Sequence, residues 1–212
     1  MQDSRISDAV VHRLPKYYRY LSELEIAGIE RVSSSRMSVD MNLNASQIRR
    51  DLNCFGGFGQ QGYGYQVNRL KQEIMKILGI GSSYKAVIVG AGNIGQALLK
   101  YRHFNDEGYH IIAVFDADPS VIGRRVGTIN IREMSELPQF MKENKVDIGI
   151  ISVPKQYAQQ TADDLVSMGV RGIWNFAPVD VEARKGISVE NVHLSDSLYI
   201  LSYHMRENNE SY

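Results

Sequence analysis

The sequence predicts an α/β protein made of a small helical domain with a hairpin, followed by a larger domain built on a parallel sheet. Helical spacing of apolar residues fills most of the first 80 positions, interrupted by a segment rich in glycine and aromatic residues. After it, short apolar runs alternate with helical stretches, as in a parallel sheet with crossover helices. A Gly-x-Gly-x-x-Gly segment joins the first run to the helix behind it. We therefore predict domains at residues 1–80 and 81–192 and a C-terminal segment at 193–212.

The charge of the chain is unevenly distributed. Its 212 residues include 24 basic and 24 acidic side chains, and the net charge of zero argues against a protein that is basic throughout. Residues 1–79 hold 11 basic and 8 acidic side chains (net +3), whereas residues 80–212 hold 13 and 16 (net −3). The positive balance of the first part is compatible with a polyanionic partner and also with ordinary variation.

The composition also limits the class of protein. With 43% apolar residues, the chain can bury a substantial core. Its one cysteine, Cys54, excludes an internal disulfide framework and a thiolate zinc cluster, and the scattered histidines predict no metal site. No apolar run approaches the roughly 18 residues of a membrane helix, and the N-terminus lacks the apolar core of a signal peptide. We expect a soluble cytoplasmic protein without a membrane partner, in which Cys54 is a packed thiol.

The first 80 residues predict helices on both sides of a hairpin. Residues 55–67 contain five glycines and four aromatic residues, which suits a two-stranded ribbon with tight turns. In the second part, the apolar runs predict strands with helices between them, and the final helix is too apolar to stand alone. It must dock on its own domain or on a partner chain. The predicted helices are residues 7–27, a segment covering Met37 to Met41, residues 45–52, 67–78, 93–103, 133–144, 155–168 and 195–206. The predicted strands are residues 85–90, 110–115, 146–152 and 172–176.

The glycine-rich segment indicates a dinucleotide site. It follows a strand and opens a helix, so that its glycines allow a tight turn and a close approach of a pyrophosphate to the helix N-terminus. Asp116 ends the next strand, 26 residues after Gly90, where a carboxylate accepts from ribose hydroxyls and favours NAD(H) over NADP(H). Arg124 and Arg125 could instead accommodate a phosphate. Residues 152–154 and 175–178 end two further strands and should line the same crevice. The glycine-rich segment is Gly90, Ala91, Gly92, Asn93, Ile94 and Gly95.

The second part does not show the signs of a catalytic site. It contains no Tyr-x-x-x-Lys pair and no His–Asp pair that stands out by spacing, and its length leaves no room for a substrate domain. We therefore predict a sensor rather than an enzyme, with no catalytic residue. The alternatives are an NAD(P)-dependent oxidoreductase with an accessory N-terminal domain, a CoA-binding regulator and a DeoR-like sugar regulator.

Residues 17–56 have the order of a helix-turn-helix. Ile48 and Leu52 are four residues apart and should face the core, which directs short polar and long basic side chains outward. Serine and glutamine can bond base edges, and arginine can make a forked contact to guanine or clamp phosphates. The hairpin that follows lies where a wing would be. The residues that would face DNA are Ser46, Gln47, Arg49 and Arg50.

Four segments together resemble the Rex family of redox-sensing transcriptional repressors, over nearly the whole chain. They are RLPKYYRYL, SQIRRDLNCFGGFGQQGYGY, VIVGAGNIGQAL and GVRGIWNFAPV, in this order. The resemblance implies an N-terminal winged helix-turn-helix domain and a C-terminal Rossmann-like domain in a homodimer, with the last helix swapped onto the partner. It also implies that NADH releases the repressor from palindromic operator DNA and that NAD+ competes for the same site.

The resemblance also implies roles for individual residues. Gly90 to Gly95 would hold the pyrophosphate and Asp116 the adenosine ribose, whereas a second group would lie on the nicotinamide side. Gln60 and Gln61 occupy wing positions where the family usually has basic residues, so we expect a shallower salt dependence of DNA binding. The nicotinamide-side residues are Pro154, Asn175, Phe176 and Pro178.

The family's ligand-dependent polar cluster is only partly matched. Arg19 and Tyr101 match its arginine and tyrosine, but His193 stands where the family has an aspartate. A neutral histidine can hydrogen-bond but cannot pair with Arg19 as a carboxylate would. Asp196, three residues later, is the alternative partner. The sequence leaves open which of the two completes the switch.

Overall fold

The computed structural model describes residues 6–56, 59–60 and 63–210. The chain divides between Gly81 and Ser82 into two compact units. The elements of the first unit are α1 (Asp8–Val11), α2 (Leu14–Ile26), β1 (Arg31–Val32), α3 (Ser34–Met41), α4 (Ala45–Asn53), β2 (Gly59–Gln60), β3 (Gly64–Gln66) and α5 (Val67–Leu78).

The first unit has the predicted helix-turn-helix followed by a hairpin. Asn44 begins α4, because its side chain accepts a hydrogen bond from the Ser46 amide, and Gly79 ends α5 in the left-handed conformation. The structure differs from the prediction over residues 7–27, where two helices replace one. Pro15 lies in the first turn of α2, the position where its missing N–H has no cost, so the second helix begins there.

The described strands of this unit form one sheet in the order β1-β3-β2. The hairpin of β2 and β3 was predicted, whereas β1 was not, because two residues are too few to show an alternating pattern. Val32 of β1 pairs with Tyr65 of β3, which joins the hairpin to the segment between α2 and α3. The core beneath is made from buried residues of α2, α3, α4 and α5, which include Tyr17, Met37, Ile48 and Ile74.

The second unit consists of β4 (Tyr84–Val89), α6 (Asn93–Lys100), α7 (His103–Asp106), β5 (Tyr109–Asp116), β6 (Arg125–Val126), β7 (Ile129–Glu133), α8 (Leu137–Glu143), β8 (Ile148–Ile151), α9 (Ala158–Ser167), β9 (Gly172–Asn175), β10 (Ser188–Asn191) and α10 (Leu194–Glu210). Within the described residues, its strands form a seven-stranded sheet in the order β10-β9-β8-β4-β5-β7-β6. Only the β6–β7 pair of this sheet is antiparallel. The order reverses direction at β4, so that neighbouring loops diverge there and leave a crevice.

The second unit departs from the prediction in several places. The helix predicted over 93–103 ends at Lys100 and is followed by the short α7, and the helix predicted over 133–144 begins with a 3₁₀ turn, Met134–Glu136. The last helix reaches Glu210 rather than residue 206. β6, β7 and β10 were not predicted, because their residues alternate polar and apolar over short distances and have no continuous apolar run.

Candidate functional site

A cleft of about 750 Å³ lies at the carboxyl ends of the central strands of the sheet. Its walls come from the loops after β4, β5, β8 and β9. This is where an open parallel sheet binds ligands, because the loops diverge at the reversal of strand order. The sequence-predicted residues on its walls are Gly90, Ala91, Gly92, Ile94, Asp116, Pro154, Phe176 and Pro178.

Each glycine of the loop after β4 meets a different geometric demand. Gly90 has a φ of 101°, and a Cβ there would come within 2.5 Å of the Ser152 carbonyl oxygen. A Cβ on Gly95 would overlap the carbonyl oxygen of Gly90 and come within 2.8 Å of the Ser152 Oγ. Around Gly92, by contrast, nothing lies within 4 Å of a Cβ. Two glycines therefore pack the loop against β8, and the third leaves open space in the cleft.

The N-terminus of α6 opens into this cleft with its backbone donors available. Gly92 is the N-cap residue, and no side chain caps the helix there. The first N–H groups of a helix have no intrahelical acceptor and carry the positive end of the helix dipole. An anionic group placed against Gly92 would therefore meet both hydrogen-bond donors and a favourable field. The arrangement fits a diphosphate.

Asp116 shapes the cleft as well as lining it. Its Oδ2 accepts a hydrogen bond from the Ala91 amide at 2.5 Å, and its Oδ1 accepts one from the Asp118 amide at 2.8 Å. The carboxylate thus joins the glycine loop to the turn after β5. Each oxygen keeps a further lone pair for a ligand hydroxyl. Ribose hydroxyls beside a diphosphate on α6 are the groups that such a carboxylate would hold.

Asn175 has a different position from the one expected of a residue facing the ligand. Its side chain is fully buried, donating to the Val179 carbonyl oxygen at 2.6 Å and to Asn191 Oδ1 at 2.8 Å. Its Oδ1 accepts from the Ala177 amide at 3.0 Å. Asn175 therefore holds in shape the loop that carries Phe176 and Pro178. Asn93 and Gly95 lie in the first turn of α6 and do not line the cleft.

Several residues of the cleft walls were not singled out from the sequence. Tyr157 immediately precedes α9, and Thr161 lies in the first turn of that helix. Asp118 lies two residues after Asp116, just beyond the end of the same strand. Of these residues, it is the one that the local sequence could have indicated, as a second acid at a strand end. The remaining members are apolar: Val89, Ala117, Val121 and Met134.

Trp174, which precedes Asn175 in β9, lines another depression with Phe104. The ring centroids of Trp174 and Phe176 are 4.6 Å apart, so Trp174 reaches the cleft only through Phe176.

The outer face of α4 carries the four residues predicted to face DNA. Ile48 and Leu52 are buried, while Ser46, Arg49 and Arg50 are exposed and Gln47 is half-buried. Arg49 is held in place, because its Nη1 donates to Ser34 Oγ at 3.2 Å and its Nη2 donates to Ser46 Oγ at 2.9 Å. Gln60 lies in β2, and Gln61 lies outside the described residues. Cys54, which we expected to be packed, is exposed at the C-terminal end of α4.

The residues predicted for the switch occupy three elements. Arg19 is exposed on α2 of the first unit. Tyr101 follows α6, is 55% exposed and packs edge-on against Phe104. His193 lies just before α10, and its Nε2 is 2.7 Å from Asp180 Oδ1; this hydrogen bond raises the pKa of His193. The described side-chain hydrogen bond of His193 is therefore to Asp180, a residue that the sequence did not indicate.

Helix α10 exposes its apolar residues. Every described side chain from Leu194 to Asn208 is exposed. Monomeric proteins rarely leave so large an apolar surface in water. The large apolar members are Leu194, Leu198, Tyr199, Ile200, Leu201, Tyr203 and Met205.

Two features are absent from the described part of the chain. None of its helices combines the length and the apolar composition that a membrane span requires. It also contains no group of three or more histidine, cysteine, aspartate or glutamate side chains placed to hold a metal ion.

Comparisons with known proteins match both units. Residues 5–53 match the family model for the putative DNA-binding protein N-terminus, and residues 81–179 match that for the CoA binding domain. The redox-sensing transcriptional repressor Rex of Clostridium botulinum (strain Eklund 17B / Type B) is 50% identical over 97% of this chain and 98% of its own length. The protein of the same name from Clostridioides difficile (strain 630) is 49% identical over 97% of this chain and 98% of its own.

Solved structures of RSP also resemble this chain over nearly its full length. The crystal structure of RSP in complex with beta-NAD+ and operator DNA has a TM-score of 0.90 and 45% identity, covering 98% of this chain and 95% of that one. RSP, described as a Rex-family repressor, is also solved in complex with beta-NADH, with a TM-score of 0.89 and 42% identity over 98% of this chain and 97% of that one. Likeness of this degree over nearly the full length, with the glycine-loop cleft and the outward face of α4 in one chain, shows that the protein belongs to the Rex family of redox-sensing transcriptional repressors.

Proposed function

We propose that this protein is a cytoplasmic homodimeric repressor that binds palindromic operator DNA and is released from it when NADH occupies the cleft. The observation that carries the proposal is the pairing, in one chain, of a dinucleotide cleft with an exposed basic helix of a helix-turn-helix. Both lie in a chain that is about 50% identical to Rex repressors over 97% of its length. The relative RSP has been crystallised with NAD+ and operator DNA and with NADH, the same pair of ligands.

The cleft favours NAD(H) over a phosphorylated dinucleotide. The diphosphate would lie against the uncapped N-terminus of α6 at Gly92, and the adenosine ribose would bond the free lone pairs of Asp116. Asp118 adds a second carboxyl group at the same edge of the cleft, and a 2′-phosphate here would be repelled. Pro154, Phe176 and Pro178 would form the apolar wall of the nicotinamide side.

Two alternatives fit the cleft less well. An NAD(P)-dependent oxidoreductase needs a proton donor or acceptor beside the nicotinamide. Tyr157 is the one phenol on the described wall, and no described histidine or lysine lines the cleft with it. The Rex relatives are named as transcriptional repressors. A CoA-binding regulator is suggested by the family model over residues 81–179, but Asp116 placed for a ribose favours the dinucleotide.

DNA binding would use α4 with the hairpin behind it as the wing. Ser46, Gln47, Arg49 and Arg50 would enter the major groove, and the bond to Ser34 would hold the Arg49 guanidinium in position. The exposed α10 would dock on the partner subunit and join two such reading helices. For both to enter one face of the duplex, they must be spaced by about one helical turn, roughly 34 Å.

A DNA-binding titration tests the function. A fluorescent operator duplex, the one crystallised with RSP, is titrated with the full-length protein in the presence of NADH or NAD+ at equal concentration. We expect NADH to release the DNA and NAD+ to leave it bound, because only a ligand with different affinity for the two dimer shapes can shift them. Equal behaviour of the two nucleotides would contradict the proposal. A scrambled duplex of the same length and composition controls for binding by charge alone.

A further inference from the structure

Helix α4 carries a carboxylate on its buried side. Asp51 is 3% exposed and lies beside the buried Ile48 and Leu52. Burying an ionised carboxylate is costly unless it is paired and hydrogen-bonded. An apolar residue there would complete the core at lower cost, so the acid calls for an explanation.

Both oxygens of Asp51 are bonded by residues of the N-terminal helices. Arg13 makes a forked pair, with Nε 2.6 Å from Oδ2 and Nη2 2.8 Å from Oδ1. The hydroxyl of the fully buried Tyr17 donates to Oδ2 at 2.8 Å. Burial opposes ionisation of Asp51, but the hydrogen bonds from Arg13 and Tyr17 outweigh it and the pKa of Asp51 is lowered. These three residues, the Arg13–Tyr17–Asp51 tie, connect the start of α2 to the last turn of α4.

The tie provides directional restraint that the apolar contacts of α4 lack. Ile48 and Leu52 hold the helix against the core, but the hydrophobic effect is non-directional. A forked guanidinium–carboxylate pair fixes both distance and orientation. Side-chain tips lie about 5–6 Å from a helix axis, so a rotation of roughly 20° would move them by about 2 Å. Hydrogen bonds to base edges tolerate only about 0.5 Å.

Stability alone does not account for the tie. Replacing a buried ion pair by apolar residues of similar volume is often neutral or stabilising, whereas removing one partner is strongly destabilising. Stability therefore gives no reason for an ion pair at this position, whereas the geometry that the pair imposes does. Here the geometry is the rotation of a nine-residue helix whose exposed side carries Ser46, Arg49 and Arg50, with the half-buried Gln47 at its edge.

We propose that Arg13, Tyr17 and Asp51 are positioning residues for sequence reading, which set the rotation of α4 and thereby separate operator from non-operator DNA. The inference rests on the proposed role of α4 in operator binding. Non-operator binding depends on the count of phosphate contacts and tolerates a rotated helix, whereas base reading does not. The tie should therefore govern discrimination between sequences rather than affinity for DNA in general.

The test compares full-length variants on two duplexes, the operator crystallised with RSP and a scrambled duplex of equal length and composition. The triple variant Arg13→Met/Tyr17→Phe/Asp51→Leu replaces the tie by apolar groups. Arg13→Lys keeps the positive charge but cannot make the two-bond pair with Asp51. It provides the test of the proposal if the triple variant does not fold. Leu24→Ala in α2 is the matched control, because it weakens the same core without touching the tie.

We expect the triple variant and Arg13→Lys to lose at least tenfold in the ratio of operator to scrambled affinity. Their affinity for the scrambled duplex should stay within about twofold of wild type. Leu24→Ala should lower the thermal midpoint and keep the wild-type ratio. A folded triple variant, or Arg13→Lys, that retains the wild-type ratio would overturn the proposal. Wild-type protein that fails to distinguish the two duplexes would instead overturn the operator-binding role of α4, and the positioning role with it.

Discussion

Alanine substitutions at two glycines of one loop should separate folding from ligand binding. Gly92 and Gly95 lie three residues apart, at the N-cap and in the first turn of α6. A Cβ on Gly95 would overlap the Gly90 carbonyl oxygen, whereas nothing lies within 4 Å of a Cβ on Gly92. Gly95→Ala therefore collides with backbone, whereas Gly92→Ala collides with a ligand that occupies the cleft.

The magnitudes follow from these contacts. Overpacking costs about 1–3 kcal/mol, and a clash with backbone belongs at the upper end. The helical gain of alanine over glycine offsets about 1 kcal/mol. For Gly95→Ala we expect a net loss of roughly 2 kcal/mol, which lowers the thermal midpoint by roughly 6–10 °C in a domain of this size. For Gly92→Ala we expect a midpoint within about 2 °C of wild type. Its methyl group would hold the diphosphate away from charge-assisted hydrogen bonds, a loss of about 10–100-fold in NADH affinity.

Thermal unfolding followed by circular dichroism and titration of NADH fluorescence measure the two effects. Gly172→Ala in β9 is the matched control, because a Cβ there meets only an ordinary contact with Ile148 at 3.7 Å. Wild-type NADH affinity in Gly92→Ala would show that the diphosphate does not lie against the N-terminus of α6. Unfolding of Gly95→Ala at the wild-type temperature would show that the loop is not packed against β8.

Three further predictions concern the cleft, the segment before α10 and the dimer. Asp116→Asn should lower NADH affinity by about 10–100-fold, because an amide loses charge-assisted bonds to Ala91 and to ribose hydroxyls; NADH fluorescence measures it. The pKa of His193 should lie above 6.5 in the folded protein, and Asp180→Asn should lower it, as followed by NMR of the imidazole. Since the folded pKa is raised, the pair stabilises fully below pH 6.5 and is lost as the pH rises through the folded pKa. Leu198→Asp should convert the dimer to monomer in sedimentation, because it places a charge on an apolar interface.

Each of these outcomes has a clear contrary result. Wild-type NADH affinity in Asp116→Asn would show that the ribose is bound elsewhere. An unchanged His193 titration in Asp180→Asn would show that the 2.7 Å contact is not made in solution. A dimeric Leu198→Asp, with Arg49→Ala as a dimeric control, would place the subunit interface away from α10.

Local signals determined how much of the fold was predictable. Helix α5 was predicted over 67–78 and is found at Val67–Leu78, because its apolar spacing is regular and Gly79 stops it. The strands β4, β5, β8 and β9 were found from continuous apolar runs, which buried parallel strands require. β10 could not be found in this way, since its half-exposed residues pair on one side only, with β9.

The site was predictable where chemistry follows the order of the chain. The glycine loop and Asp116 share one strand–turn–helix–strand unit, and spacing alone brings them together. Contacts between residues that are distant in sequence could not be predicted. Asp51 bonds Arg13 across 38 positions, and a sequence shows an aspartate in a helix without showing what faces it. The burial of Asn175 could not be predicted for the same reason, because its amide bonds to Asn191, 16 positions away, and supports the wall of the cleft from behind.

In the proposed function, the apolar surface of α10 would make operator binding a property of the dimer. Burying a Leu, Ile or Met side chain is worth about 1.5–3 kcal/mol, so a partner covering a few of the exposed residues contributes enough to offset the entropy of association. Such a dimer would join two α4 helices in one molecule, so that NADH could end repression without approaching the DNA. To move the dimer from 99% binding-competent to 1%, NADH must bind the incompetent shape about 10⁴-fold more tightly. By reciprocity, operator DNA must weaken NADH binding by the same factor as NADH weakens operator binding, which a titration of NADH with saturating operator measures directly.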